Sequence, residues 1–208
     1  MMDAAQYNRR IAGARARVAG QTFENLIEAA CKWYEDRGVF KATKTPEPMK
    51  PLRKPNAQGQ FLACYTKKAQ VDFGGTLIGG RSVRFEAKHT ETDRFERNRL
   101  TKDQMDDLRG HQRIGAVCFV LCCFNFEGFY RVPWGVWENM KQIYGRQYVT
   151  EDDVKQYRVP FTSGIVKFLN GLVDVNDPDV PDRCVVCGDY AGEGSHICSV
   201  CRKKGAIR

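Results

Sequence analysis

The sequence predicts an α/β fold in one well-cored domain that is followed by a small appendage. Segments with helical and with strand-like apolar spacing alternate along most of the chain, and four cysteines in two close pairs stand near its end. A chain of 208 residues is long enough for one such core and too short for two full-sized domains. We expect a core domain over residues 1–172, an acidic linker over residues 173–183 and a cysteine-bearing module over residues 184–208.

Charge and apolar content narrow the classes of function. The chain carries 33 Lys and Arg against 25 Asp and Glu, a net charge of +8. This balance favours a polyanionic partner such as nucleic acid or an acidic membrane surface. No run approaches the roughly 18 apolar residues of a membrane span, and the N-terminal sequence lacks the apolar stretch of a signal peptide. We therefore expect a cytoplasmic protein with no membrane-spanning segment.

The first predicted element is a helix over residues 3–37. Apolar residues recur at three- and four-residue spacing between Phe23 and Tyr34, and Gly38 supplies a stop. The segment over residues 41–68 then holds four prolines, seven Lys or Arg and one Glu. Such proline density excludes an ordinary helix or central strand, so we predict a long basic arm here.

An antiparallel hairpin is predicted over residues 71–90, with its turn centred on Gly79. This register places Asp72 directly across from Glu86, and Lys88 shares their face. The opposite face is entirely apolar, with Val71, Phe73, Leu77, Val83, Phe85 and Ala87. A slip by one residue would turn Glu86 and Lys88 towards the core, which supports the register.

Two facing carboxylates repel each other unless a proton or a cation lies between them. Their hard oxygen ligands suit Mg²⁺ or Mn²⁺, and Lys88 beside such a metal would help to position a water and to neutralise a phosphodiester during cleavage. The alternative interpretation is a surface hairpin in which Lys88 and Arg84 offset the carboxylates through exposed ion pairs.

Three further elements follow the hairpin. Residues 100–112 are predicted to form a short helix, residues 115–126 a buried strand with residues 127–133 as its neighbour, and another helix begins near Pro133. The region over residues 144–172 is weakly patterned, and we assign no element to it.

The motifs of the hairpin resemble those of a known nuclease family. VDF followed by FEAK is similar to the active-site signature of the PD-(D/E)xK superfamily, and within it the chain resembles the RecU-type Holliday junction resolvases of bacteria and phages. GQTFENLI, over residues 20–27, resembles a helical element of that family, and DQMDDLRGHQRIGAVCFVL, over residues 103–121, resembles its glutamine-bearing helix and the following strand. The resemblance covers residues 18–137.

The resemblance implies a restriction-endonuclease-like core, with a mixed β-sheet flanked by helices and a protruding stalk in the basic segment. It also implies a homodimeric, Mg²⁺-dependent endonuclease of bacterial or phage origin that makes paired nicks in four-way DNA junctions during recombination and repair. Asp72 and Glu86 would then be metal ligands and Lys88 the catalytic lysine. Glu24 would complete the metal shell, the alternative being an ordinary exposed helix carboxylate. Gln104 corresponds less closely to the family's glutamine, and an ordinary helix position is its alternative.

Basic residues of the first helix and of the basic segment are candidate contacts to branched DNA. Such contacts position the phosphate backbone without reading its sequence. The candidates are Arg9, Arg10, Arg15, Arg17, Lys50, Arg53, Lys54, Lys67 and Lys68. The alternative is a solvated basic surface.

The C-terminal cysteines have the spacing of a zinc site. Cys184 and Cys187 form one C-x2-C pair, and Cys198 and Cys201 form the other after ten residues. Four thiolates satisfy a structural Zn²⁺, and binding of the ion would supply the folding energy of this zinc-ribbon-like module. The alternative is two disulfides. The module would bind DNA through its basic tail or recruit a partner such as a recombination protein.

Two alternatives to junction cleavage remain at this point. One is a nuclease that uses the same centre on flaps, nicks or unbranched duplex. The other is a zinc-bearing DNA-binding or adaptor protein with an inert carboxylate pair.

Overall fold

The computed structural model describes residues 4–44, 49–65 and 71–173. Several predictions lie outside the described residues, namely the linker from residue 174 onwards, Lys67, Lys68 and the zinc ligands Cys184, Cys187, Cys198 and Cys201. The side chains of Arg9 and Arg10 lie outside the description as well.

The described residues form five α-helices, two short 3₁₀-helices (Arg97–Arg99 and Lys155–Tyr157) and eleven strands. The helices are α1 (Ala4–Glu35), α2 (Lys102–Arg113), α3 (Trp134–Glu138), α4 (Met140–Tyr144) and α5 (Glu151–Val154). The strands are β1 (Phe40–Lys44), β2 (Met49–Pro51), β3 (Ala63–Tyr65), β4 (Phe73–Leu77), β5 (Ser82–Thr90), β6 (Arg94–Glu96), β7 (Val117–Phe124), β8 (Gly128–Pro133), β9 (Tyr148–Thr150), β10 (Phe161–Thr162) and β11 (Ile165–Val166). None of the described helices is long and apolar enough to cross a membrane.

A five-stranded mixed sheet organises the fold, in the order β1-β4-β5-β7-β8. All its neighbouring pairs are antiparallel except β5 and β7, which run parallel. The parallel pair is joined by a crossover that contains α2, because parallel neighbours cannot be linked by a tight turn. The predicted α/β fold with a mixed sheet is therefore confirmed.

The predicted elements are found near their expected bounds. The first helix ends at Glu35, and the turn that follows it contains Gly38 in a left-handed conformation with φ of 65°. The predicted helix over residues 100–112 is α2, which begins one residue after Thr101 because that side chain caps its first turn. The buried strand predicted over residues 115–126 is β7, and β8 is its antiparallel neighbour as expected.

The hairpin register is the predicted one. Phe73 pairs with Phe85 and Gly74 with Arg84, on either side of a turn that contains Gly79 with φ of 85°. One expectation about its faces was wrong, because Val71 packs in the cluster opposite to that of Phe73. Val71 precedes the first residue of β4, so strand alternation does not extend to it.

The basic segment contains more strand than predicted. Its first four residues lie in β1, an edge strand of the main sheet, since its prolines begin only at Pro46. Further on, β2 and β3 pair as an antiparallel ribbon, and Asn56 closes its tip by accepting hydrogen bonds from the backbone N–H groups of Gln58 (3.0 Å) and Gln60 (2.9 Å). The prediction of a long arm was therefore wrong for residues 41–44, which form an edge strand, while no central strand occurs in the described part of the segment.

The sheet is covered on both faces. On one face α1 buries an apolar stripe against the odd-numbered residues of β5, and the cluster includes Phe23, Ile27, Tyr34, Val83, Phe85, Phe119 and Phe168. On the other face α2 and α3 pack over β7, and the cluster includes Leu108, Val120, Trp134, Trp137 and Met140. The even-numbered residues of β5 lie on this second face.

The weakly patterned region also belongs to the core. Phe168 and Leu169 are fully buried although they lie in no strand or helix. The Tyr34 hydroxyl accepts a hydrogen bond from the Leu169 backbone N–H at 3.0 Å, which ties this region to α1.

Candidate active site

The hairpin brings Asp72 and Glu86 together at the start of β4. Asp72 is the residue just before β4, and its backbone N–H donates a hydrogen bond to Glu86 Oε2 at 3.1 Å. Glu86 lies in the middle of β5, a strand with neighbours on both sides, and its side chain is 0% exposed. A surface hairpin with solvated carboxylates is thereby excluded for Glu86.

Lys88 lies between the two carboxylates. Its ammonium group bonds Glu86 Oε1 and is 3.9 Å from Asp72 Oδ2. The side chains of Lys88 and Asp72 are 21% and 27% exposed, so solvent reaches the site on their side only. The three groups form a small charged centre with a closed end at Glu86 and an open end at Asp72.

Gln104 closes the centre from the side of α2. Its Nε2 donates a hydrogen bond to Glu86 Oε1 at 2.5 Å, and its Oε1 accepts one from the Thr101 backbone N–H at 3.0 Å. The Thr101 hydroxyl in turn accepts from the Gln104 backbone N–H at 3.3 Å, which completes a capping box. The helix cap therefore fixes the amide that holds Glu86.

Burial controls the ionisation of this centre. It raises the pKa of Glu86 to about 7; the Lys88 ammonium acts against this increase, and the negative charge of Asp72 adds to it. Near neutral pH this carboxyl group is therefore only partly ionised, and a bound cation would favour loss of its proton.

The donor set fits a hard divalent cation. Asp72 and Glu86 supply carboxylate oxygens, the ligands that Mg²⁺ and Mn²⁺ prefer, and together they carry more negative charge than Lys88 neutralises when both are ionised. Across the described part of the chain, no group of three or more His, Cys, Asp or Glu side chains could hold a metal ion. The remaining ligands would therefore be water and phosphate oxygens, as is usual for Mg²⁺, or a side chain that moves to the site when the ion binds.

Glu24 is engaged elsewhere. Its carboxylate accepts a hydrogen bond from Lys44 Nζ at 2.9 Å, and Glu28, one turn further along α1, accepts another from the same ammonium at 2.7 Å. Lys44 pairs with Phe73 across β1 and β4, so this cluster lies at the same end of β4 as Asp72. The structure brings Glu24 to that end of the sheet without joining it to the carboxylate pair, and its role as a metal ligand stays a prediction.

The described candidates for DNA contact are exposed. They are Arg15 and Arg17 on α1, and Lys50, Arg53 and Lys54 on the ribbon. Within the described residues none of the five forms an ion pair. Their positive charge is available to a polyanion.

The sequence analysis did not identify Lys44, which binds Glu24, or Thr101, which binds Gln104. The T-x-x-Q pattern before α2 is a readable capping signal for Thr101. No local pattern identifies Lys44, because its partners lie 16 and 20 residues earlier in the chain.

Comparison with known proteins places the chain in a family. The sequence model of Recombination protein U matches residues 18–174. No curated protein matches the chain. Among solved structures, the chain is similar to Archaeoglobus fulgidus Hjc, a Holliday junction resolvase from an archaeal hyperthermophile, with 16% identity, a TM-score of 0.41 and coverage of 66% of this chain and 93% of the other.

Proposed function

Because this chain belongs to the Recombination protein U family and is therefore a Holliday junction resolvase, an endodeoxyribonuclease, we propose that Asp72, Glu86 and Lys88 form its catalytic centre. The observation that supports this assignment most is the geometry around Glu86, a fully buried carboxylate beside Asp72 and in contact with Lys88. A buried carboxyl group beside a second carboxylate is costly unless a proton or a cation offsets their charge, and such groups are typical of functional sites.

Asp72 and Glu86 would hold a divalent metal, Mg²⁺ or Mn²⁺. When bound, that ion would lower the pKa of a water and stabilise the charge that develops on the phosphodiester. The chain's own groups would do the rest. Gln104 keeps Glu86 in one orientation, and Lys88 at the open end can orient the attacking water and neutralise a phosphate oxygen.

The first test is cleavage of a labelled four-way junction beside a linear duplex and a flap with the same arms, in Mg²⁺ and in EDTA. We expect paired nicks in the junction with Mg²⁺ only. Asp72→Asn and Lys88→Ala should abolish cleavage and leave junction binding nearly intact. Equal loss of binding and cleavage would mean that these residues build the fold, and cleavage by both variants at the wild-type rate would refute the assignment.

Glu24 is proposed as a third metal ligand that exchanges Lys44 for the ion when DNA and metal are bound. The nearby Glu28 offers a matched control, because it binds the same lysine from one turn away. Glu24→Gln should weaken cleavage and raise the Mg²⁺ concentration needed for it, whereas Glu28→Gln should change neither by more than about twofold. Equal effects of Glu24→Gln and Glu28→Gln on cleavage would mean that Glu24 is an ordinary surface carboxylate and not a metal ligand.

Two further proposals concern assembly. Two copies of the chain would act as a homodimer, since paired nicks in a four-way junction need two catalytic centres, and the ribbon would be the stalk that contacts DNA through Lys50, Arg53 and Lys54. Light scattering would give the mass of the protein in solution. A monomer on the junction with full activity would contradict the dimer.

The cysteine module is proposed to hold one structural Zn²⁺. Its support is the C-x2-C spacing alone. Metal analysis of the purified chain should find one zinc per chain, and Cys184→Ser together with Cys187→Ser should remove it. Retention of zinc by that double variant would refute the four-cysteine site.

A further inference from the structure

Arg84 lies beside the proposed catalytic centre of Asp72, Glu86 and Lys88 but is not one of its three groups. It stands two residues before Glu86 in β5 and pairs with Gly74 across the hairpin. Because alternate residues of a strand share one face, Arg84 lies on the face of Glu86 and Lys88, roughly 6–7 Å along the strand from Glu86.

Gly74 provides the surface on which the Arg84 guanidinium lies. A Cβ atom at residue 74 would be only 2.3 Å from Arg84 Nη1 and 3.0 Å from its Cζ. Only glycine therefore permits this close approach. The guanidinium therefore lies against the backbone of β4 and does not extend freely into solvent.

No acceptor satisfies this guanidinium. Among the described residues none accepts a hydrogen bond from Arg84 or forms an ion pair with it, and its Nε atom is buried without a partner. Other partly buried arginines differ: Arg109 binds Glu138, Arg131 binds the Phe168 carbonyl oxygen, and Arg146 binds Asp153. An unpaired buried Nε–H is unusual, because a desolvated donor costs free energy when it stays unpaired. The Nη groups of Arg84 are not among the buried unpaired atoms of the described residues, so they remain accessible to solvent.

The sheet beside Arg84 is covered by helices on one side and carries exposed threonines on the other. On this face α2 packs against β5 and β7, and α3 packs against β7 and β8. Towards the other edge Thr43 pairs with Gly74, and Thr76 pairs with Ser82 in the next row; both threonines are exposed. These two rows of β1, β4 and β5 hold no acidic side chain, whereas on the covered side Asp107 of α2 lies near Cys118, the residue of β7 that pairs with Arg84.

We propose that Arg84 binds a backbone phosphate of the junction next to the phosphate that is cleaved, and so positions the scissile strand over Asp72 and Glu86. This inference rests on the proposed catalytic centre. A guanidinium offers a planar pair of donors that matches two phosphate oxygens. Arg84 is therefore a positioning residue, and Gly74 acts through it.

The test compares four variants on a labelled four-way junction. Binding is measured in EDTA over a range of salt concentrations, cleavage is measured in Mg²⁺, and thermal unfolding monitors the fold. The variants are Arg84→Met, Arg84→Lys, Gly74→Ala and, as the matched control, Arg81→Met. Arg81 lies at the turn of the same hairpin and is exposed, and its substitution by Met removes the same charge as Arg84→Met.

Arg84→Met should bind about tenfold more weakly, with a salt slope smaller by about one for each bound chain. Its loss of cleavage should lie mainly in KM. Arg84→Lys should keep the salt slope and recover only part of the affinity, because lysine is a point charge. Gly74→Ala should behave like Arg84→Met with little change in thermal unfolding, since the new methyl group displaces the end of a flexible side chain. Arg81→Met should stay within about twofold of the wild type.

Several results would overturn the proposal. Unchanged affinity and salt slope in Arg84→Met would do so while the wild-type protein still cuts junctions, and so would an equal loss in Arg81→Met. A parallel loss of thermal stability and binding that Arg84→Lys does not restore would make Arg84 a structural residue. A wild-type protein that binds but does not cut junctions would instead refute the catalytic centre, which is a different outcome.

Discussion

Two clusters at the same end of the sheet each consist of two carboxylates and one lysine. One is Asp72, Glu86 and Lys88, and the other is Glu24, Glu28 and Lys44. In the first, Glu86 is 0% exposed, whereas the side chains of the second are 35–47% exposed. Burial raises the pKa of Glu86, while in the other cluster the carboxylates raise the pKa of Lys44. Two carboxylates and a lysine therefore form a solvated ion-pair cluster at the surface, and inside the sheet a centre whose buried carboxyl group holds its proton more tightly.

The largest expected effect comes from removing the buried charge. Glu86→Gln keeps the shape of the side chain and should lower cleavage by about 10³-fold or more, because a metal supplies several kcal/mol to the transition state. Single-turnover cleavage of the junction with saturating protein measures it. Lys44→Met serves as the control from the exposed cluster. A Glu86→Gln enzyme within tenfold of the wild type would place the chemistry elsewhere.

The pH dependence of stability should separate the clusters next. The pKa of Glu86 is raised from 4.5 to about 7, so between these values the folded state binds a proton that the unfolded state has lost. The free energy of unfolding of the metal-free protein should therefore fall as pH rises from about 5 to about 7.5, by up to about 3 kcal/mol. Lys44 contributes nothing in this window, because a raised lysine pKa affects stability only at alkaline pH.

Urea unfolding in EDTA at several pH values measures this dependence, and Glu86→Gln should flatten it. Added Mg²⁺ should restore stability at pH 7.5, since the ion binds the folded state. Equal pH slopes for the wild type and Glu86→Gln would contradict the buried, proton-binding carboxyl.

Substitutions in α2 that remove its contact with the buried cluster should lower cleavage less than Glu86→Gln does. Gln104→Ala removes a hydrogen bond to Glu86 and should reduce cleavage about 10–100-fold, as loss of groups that orient metal ligands does. Thr101→Ala removes the cap and should cost about 1 kcal/mol of stability with little change in cleavage. Junction cleavage and thermal unfolding of the two variants, measured side by side, distinguish orientation of Glu86 from helix capping. Equal cleavage losses would mean that Gln104 acts only through the helix.

The smallest effect should come from the exposed cluster itself. Lys44→Met should change the free energy of unfolding by less than about 1 kcal/mol, because exposed ion pairs are screened by water and salt. Chemical denaturation at low and high salt measures this value. A loss above about 2 kcal/mol would show that the exposed cluster is structural, contrary to the comparison with the buried one.

The hairpin shows what the sequence could predict. Alternation of apolar and polar residues fixed the pairing of Phe73 with Phe85, and with it the meeting of Asp72 and Glu86. The complete burial of Glu86 could not be predicted from alternation, because it depends on which elements cover the face of the sheet on which Glu86 lies. That cover comes from α2, α3 and the neighbouring strand β7, which lie later in the chain.

Other regions resisted prediction for different reasons. Strand β1 was not predicted, because it is short and adjoins a segment whose many prolines argue against a strand. The region over residues 144–172 consists of elements of two to five residues and a buried pair, Phe168 and Leu169, which are too short to show a period. The role of Gly74 depends on a cross-strand contact with Arg84, and no local spacing indicates it.

The order of the sheet has a consequence for synthesis. The strands of the main sheet follow one another in space as they do in the chain, from β1 through β4, β5 and β7 to β8. A chain that emerges from the ribosome can thus add each strand to one growing edge, and no strand has to insert between two that are already paired. Asp72 meets Glu86 when β5 joins, and Gln104 follows after 18 more residues, within about 1–4 s at the usual rate of translation. The carboxylate pair can therefore be assembled before the amide that orients it has emerged from the ribosome.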